Sequence, residues 1–202
     1  RKEEMKIAVE ALGIHVFGGG RTATLNLLEG LLELDPINHY RIFLSQPEPS
    51  LKKQNVTQVI FPLKNRFVQR LWAQAVLPRA TRDCNLIHFV KNLGVFGIQI
   101  PQVVTIYDMT TLVHPELFPV VDVFYWRHLQ NMTLRIAKQI ISISETTARD
   151  LEKYYSLPTE KIRVIYPSID PCFHPASADE ITQVRQRYGL PDQFILHVGR
   201  ID

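Results

Sequence analysis

Three glycines and an arginine, Gly18-Gly19-Gly20-Arg21, separate a short apolar run from a leucine-rich amphipathic stretch. Glycine lets the backbone take positive φ and lets a ligand approach with no Cβ in the way. The helix expected behind them presents unpaired N–H groups and the positive end of its dipole, a setting suited to phosphate or another anion. Arg21 adds a fixed charge whose fork can grip two phosphate oxygens. A second group of polar residues falls at the ends of apolar runs. Lys91-Asn92 follows one run, Tyr107-Asp108 the next and Ser144-Glu145 a third, with His15 in the long loop after the first. Open α/β sheets bind ligands beyond the carboxyl ends of their strands, so these residues are candidates for one cleft. Asp108 serves either as a base or as an Asx cap of the next turn, and spacing alone leans towards the cap. Tyr107 either offers its hydroxyl to a sugar or phosphate or simply packs. His88, inside an apolar run, reads as a core histidine.

Short apolar runs alternate with amphipathic stretches, the pattern of a Rossmann-like, doubly wound α/β fold: a mainly parallel sheet with helices on both faces. Strands are expected over residues 5–11, 40–44, 56–61, 86–90, 103–107, 139–143 and 162–166. Helices are expected over 22–34, 66–82 and 122–137, and from Ser144 to Tyr155, with Ser144 as N-cap. Pro78 should kink the second helix or end its first half. Residues 167–175 read as an irregular, proline-rich connection. Ser177 and Glu180 fit a capping box for a helix to Tyr188, closed by Gly189. Residues 194–198 read as one more strand, the start of a second domain. The expected division is 1–191 and 192–202.

The chain has 202 residues, 46% hydrophobic and 21% charged, with a net charge of +3. That describes a globular protein and is too mild a balance to imply nucleic acid as a partner. Cys84 and Cys172 form no metal-ligand spacing and read as two buried thiols in a reduced setting. No apolar run approaches the ~18 residues of a membrane span. No signal-peptide pattern follows Arg1-Lys2-Glu3-Glu4, so a cytoplasmic setting is expected. The stretch with Phe67, Leu71, Trp72 and Val76 also carries Lys64, Arg66, Arg70, Arg79 and Arg82. It reads first as a core-facing helix with a solvated basic face, and second as a peripheral contact at the inner membrane face. Gly18-x-Gly20-x-x-Ala23 has the spacing of a dinucleotide fingerprint. The seven-residue approach from the first strand and the lack of an acid after the second argue against it. Serine-hydrolase, P-loop and zinc-protease motifs are missing.

Taken in order, several motifs resemble one family: Gly18-Gly19-Gly20-Arg21, Leu86-Ile87-His88-Phe89, and Val103 through Asp108, followed by His114-Pro115-Glu116. Ile140 through Glu145, Val164 through Asp170 and Val198-Gly199-Arg200 complete the set. Together they resemble the N-terminal domain of a family-4 glycosyltransferase with the GT-B fold. The resemblance implies a hexosyltransferase-type enzyme that moves a sugar from a nucleotide-sugar to an acceptor hydroxyl with retention. It implies no metal and no cofactor beyond the donor substrate. It also implies a carbohydrate or lipid-linked acceptor, and a C-terminal domain that holds most of the donor. Gly18, Gly19, Gly20 and Arg21 would border the donor diphosphate, and Arg200 would clamp it. His15, Lys91, Asn92, Ser144 and Glu145 would shape the acceptor cleft, with Tyr107 and Asp108 nearest the chemistry. Many relatives have His-Asp where this chain has Tyr107-Asp108, which passes that contact to a tyrosine hydroxyl. The fragment alone is expected to be inactive. A sugar-nucleotide epimerase or hydrolase of the same fold, or a non-catalytic carbohydrate-binding module, are the alternatives.

Overall fold

A computed structural model describes residues 4–15, 18–62, 65–170 and 172–199, with the backbone alone at His15 and Arg66. The chain forms two compact units, Arg1–Ser168 and Ile169–Asp202. In the first unit the strands are β1 (Lys6–Glu10), β2 (His39–Leu44), β3 (Val56–Ile60), β4 (Leu86–Phe89), β5 (Gln102–Ile106), β6 (Gln139–Ser142) and β7 (Ile162–Val164). They build one sheet in the order β3-β2-β1-β4-β5-β6-β7. Every pairing is parallel, as in Ile7 opposite both Tyr40 and Leu86. The order reverses between β1 and β4, so a crevice opens there at the carboxyl ends of the strands.

The helices of this unit are α1 (Gly19–Leu34), α2 (Arg66–Ala80), α3 (Thr110–Val113), α4 (Val120–Tyr125), α5 (Asn131–Ile136) and α6 (Glu145–Tyr155). Successive strand residues point to opposite faces, which sorts the core into two layers. Ile7, Val9, Ile42 and Leu44 meet Leu28 and Leu32 of α1. Ala8, Phe43, Ile87, Phe89, Val104 and Ile140 meet Ala73 and Leu77 of α2, Leu134 of α5 and Leu151 of α6. Both faces of the central strands are therefore apolar, which is why they read as unbroken apolar runs rather than alternating ones.

One expectation is narrowed by the structure and three differ from it. First, α2 runs through Pro78 to Ala80. The proline removes the bond to the Gln74 carbonyl. The Gln74 side chain ties the helix to the loop after β4 by bonding both the carbonyl and the N–H of Phe96, at 3.0 and 3.2 Å. Second, the helix expected over 122–137 starts at Val120 and contains a π-helical turn at Trp126–Gln130. Buried Tyr155 supports this turn, its hydroxyl 2.9 Å from the Trp126 carbonyl and 2.6 Å from Gln130 Oε1. Third, residues 194–198 join no sheet. A parallel strand takes its hydrogen bonds from a neighbour, and among the described residues none pairs with this run. Fourth, Cys84 is buried but Cys172 is exposed, on a proline-rich stretch that buries little.

The second unit holds α7 (Ala178–Tyr188), and its expected capping box is present. The Ser177 hydroxyl accepts the Glu180 N–H and the Glu180 carboxylate accepts the Ser177 N–H. Gly189 closes the helix in the left-handed conformation, φ 60°.

Candidate active site

Gly18 is the N-cap of α1, with φ 143°, a conformation that only glycine adopts without strain. Gly19 and Gly20 are different. A Cβ on Gly19 would meet nothing within 4 Å, and one on Gly20 would meet only Lys91 Cε at 4.0 Å. Among the described residues nothing fills the space beside either position. The Arg21 and Thr22 N–H groups of this first turn close back on the Gly18 carbonyl, at 3.0 and 3.2 Å.

Arg21 does not lie loose beside this turn. Its guanidinium donates to the Ile14 carbonyl at 2.7 Å and to Glu48 Oε2 at 2.6 Å. Both side chains of this ion pair are mostly buried. The backbone of Glu48 is in turn bonded in both directions by the Gln58 side chain. The arginine fork, expected from the sequence to grip phosphate, thus binds the loop after β1 to the loop after β2. Arg21→Lys keeps the charge but cannot bridge both partners. We expect it to lower stability by about 2 kcal/mol in urea titrations. A grip on phosphate alone would leave the urea midpoint where it was.

At the switch point, Glu10, Gly13, Gln69, Arg70, Lys91, Asn92, Asp122, Tyr125 and Trp126 are among the residues lining a cavity of about 290 Å³. They come from five pieces of the fold: the end of β1, the loop beyond it, α2, the end of β4, and α4 with its π-helical turn. Lys91 links the cavity to the glycine turn, since its stem passes Gly13 and Gly20. Asn92 sits at φ 59° and is fixed on several sides. Its N–H donates to the Thr105 carbonyl, its carbonyl accepts from Gln130 Nε2 and its side chain accepts the Tyr107 N–H. Glu10 is the buried acid of the cavity. Burial pushes its carboxyl above the ordinary range, while the charges of Arg70 and Lys91 and a bond from the Leu12 N–H pull it back.

The remaining sequence candidates lie elsewhere. Tyr107 is half-buried on the α1 face of the sheet, its hydroxyl 2.9 Å from that of Thr24, which donates to the Gly20 carbonyl at 2.8 Å. Burial raises its phenol above the ordinary range, and the Thr24 bond offsets part of this. In this place Tyr107 supports the glycine turn from below. Asp108 is exposed and one carboxylate oxygen accepts the Thr110 N–H at 3.0 Å, the Asx cap that its spacing suggested. Ser144 caps α6 through the Thr147 N–H, and Glu145 is exposed beside it. Neither lines the cavity. His88 is a core residue, with Nε2 2.8 Å from the Thr105 hydroxyl. Arg200 and the His15 side chain lie outside the described residues.

Glu10, Arg70, Asp122, Tyr125 and Trp126 escaped the sequence reading. Glu10 carried a signal, since a carboxylate ending an apolar strand needs a reason to be there. The others sit on helices, and only the assembled fold brings them together.

A doubly wound parallel sheet with a cavity at its switch point is the general form of a ligand-binding α/β domain. The comparisons narrow it. Residues 17–173 match the model of Glycosyltransferase Family 4, and the chain belongs to that family. Over 69 residues, 34% of this chain and 19% of its relative, it is 30% identical to the O-antigen chain mannosyltransferase RfbU of Salmonella typhimurium. Its fold resembles that of Anabaena HepE in complex with UDP-glucose, with a TM-score of 0.61 at 18% identity over 92% of this chain. A glycosyltransferase from Rickettsia africae superposes with a TM-score of 0.54 at 14% identity over 94% of this chain. The chain spans about half the length of those two structures, 50% in each case. The fold is thus the Rossmann-like domain of GT-B glycosyltransferases.

Proposed function

We propose that this chain is the acceptor-side half of a retaining, hexosyltransferase-type glycosyltransferase that moves a sugar from a nucleotide-sugar to an acceptor hydroxyl. The observation that carries this reading is the glycine turn, open to solvent, with Lys91 joining it to an aromatic- and charge-lined cavity at the switch point. Family membership and the relatives' names support it: one is a mannosyltransferase and another binds UDP-glucose. The donor diphosphate lies across the start of α1, where helix N–H groups and the Lys91 ammonium stabilise the charge that grows as it leaves. No metal is needed for that stabilisation. The acceptor enters the cavity, where Tyr125 and Trp126 offer flat apolar faces to a sugar ring. Glu10, Asn92 and Arg70 offer it hydrogen-bonding groups. Asp108 stands at the same edge of the sheet, and Arg200, outside the described residues, is the residue we assign to the diphosphate in the complete protein. Alone, the acceptor-side half does not turn over.

The test is product analysis with labelled nucleotide-sugars and candidate glycan or lipid-linked acceptors, using the protein that carries this chain and a donor-binding half. Transfer with retained anomeric configuration, unaffected by EDTA and lost in Lys91→Ala, is expected. Donor hydrolysis or epimerisation without transfer would replace this reading with the alternative chemistry on the same fold. Binding without turnover would make the domain a carbohydrate-binding module.

A further inference from the structure

Glutamate is seldom buried unless its oxygens are paired. Glu10 departs from this rule. It is only 6% exposed, at the carboxyl end of β1 where the strand order reverses. One carboxylate oxygen, Oε1, accepts the Leu12 N–H at 3.1 Å. The other, Oε2, has no hydrogen-bond partner among the described residues. It is not sealed in, because no fully buried side-chain oxygen of the described residues lacks a partner. The open space beside Glu10 is the cavity of about 290 Å³, so Oε2 faces that cavity.

The charges around this oxygen leave it open. Arg70 from α2 and Lys91 from the end of β4 act on the Glu10 carboxyl through space. Among the described residues neither forms an ion pair with it. The two cations therefore favour the carboxylate without occupying Oε2. Other acceptors of the lining are engaged, as Asn92 Oδ1 is by the Tyr107 N–H at 3.0 Å. Glu10 and Asp122 balance Arg70 and Lys91 across the cavity, so the lining as a whole suits a ligand without charge. What Oε2 lacks is a hydrogen-bond donor, and a sugar hydroxyl is an uncharged one.

We infer that Glu10 is a specificity-determining residue of the cavity: its Oε2 accepts a hydrogen bond from one ring hydroxyl of a neutral sugar that enters there. The inference rests on the reading of this cavity as the acceptor site, and it names the contact that selects the acceptor. A site built around a hydroxyl rejects the analogue that lacks the donor, because the buried oxygen is then left unpaired. Tyr125 and Trp126 cannot select in this way, since a flat apolar face meets many sugars alike.

The probes are the methyl glycosides of mannose, glucose and galactose, and counterparts in which each ring hydroxyl in turn is replaced by fluorine. Fluorine stands in for the hydroxyl in size but cannot donate a hydrogen bond. Binding to the protein that carries this chain is measured by ligand-observed NMR titration with no nucleotide-sugar present. For at least one sugar, fluorine at one ring position is expected to weaken binding by about tenfold or more, the worth of a hydrogen bond to a charged group. In Glu10→Gln the amide oxygen keeps the Leu12 bond and the amide N–H meets either substituent. The same pair should then bind within about threefold of each other. Glu10→Asp, with its carboxylate set one methylene back, should lose the preference too, and it decides the matter if Glu10→Gln does not fold by circular dichroism. A protein that binds none of these sugars, or binds hydroxyl and fluoro forms alike at every position, overturns the inference. So does a folded variant that keeps the tenfold preference. A purely structural Glu10 would weaken both compounds together and leave their ratio unchanged. Transfer is scored separately by product analysis: the expected binding pattern without product would sink the transfer reading and leave the role of Glu10 standing.

Discussion

Gly19→Val, placed in the protein that carries this chain, is expected to lower kcat/KM for sugar transfer by about a hundredfold or more while leaving the fold stable. The first turn of α1 accommodates the new side chain, because a Cβ at this position meets nothing within 4 Å. The stability change should stay within about 0.5 kcal/mol, the usual cost of a β-branched residue in a helix. Catalysis is another matter. A valine there stands between the helix N–H groups and a diphosphate, and loss of one such donor costs about a hundredfold to a thousandfold. Gly18→Ala is the control with the opposite signature. At φ 143° any Cβ is strained, so this variant should lose about 1–3 kcal/mol of stability on urea titration. A Gly19→Val protein that folds and transfers sugar at the parental rate would remove the glycine turn from the donor site.

The two glycines illustrate how much of the site was legible beforehand. Their composition and their place before an amphipathic helix pointed to an anion site, and the structure shows which of them the backbone requires and which it leaves open. The seven strands of the first unit were readable because a doubly covered parallel sheet demands unbroken apolar runs, such as Leu86 to Val90. The end of the chain misled for the same reason. Phe194 to Val198 has the composition of a strand, but composition does not supply the neighbour that a strand needs. Orientation was the harder problem. The periodicity of α2 fits an apolar stripe on either of two faces, and the fold chose Gln69, Ala73 and Leu77. That choice, invisible in the sequence, keeps α2 core-facing, with Trp72 packed on the core, but leaves Phe67 and Leu71 exposed on its outer side. Arg21 shows the limit in charge reasoning. A lone arginine beside glycines predicts a phosphate grip, but Glu48, 27 residues away, takes one arm of the fork at 2.6 Å.

Acid should weaken this fold through His88. The imidazole is buried in β4, with Nε2 hydrogen-bonded to the Thr105 hydroxyl of the neighbouring strand, and burial lowers its pKa to about 4. An unfolded chain holds histidine near its ordinary value of about 6.5. Between these values the unfolded state binds a proton that the folded state refuses, so stability falls as pH drops from about 6.5 towards 4. At the acid end the loss attributable to this side chain approaches about 3 kcal/mol. Glu10 works in the opposite direction. Its carboxyl is raised by burial, so protonation at low pH favours the folded state and masks part of the slope. The comparison that isolates the histidine is the stability difference between parent and His88→Gln, measured by urea titration at pH values from about 7 to 4.5. Glutamine keeps a hydrogen-bonding group near Thr105 but cannot take up a proton. The variant should therefore sit below the parent at neutral pH, with the gap closing or reversing as acid is added. A difference that stays constant over this range would mean that His88 titrates alike in the folded and unfolded chain, and that the buried imidazole is no acid trigger.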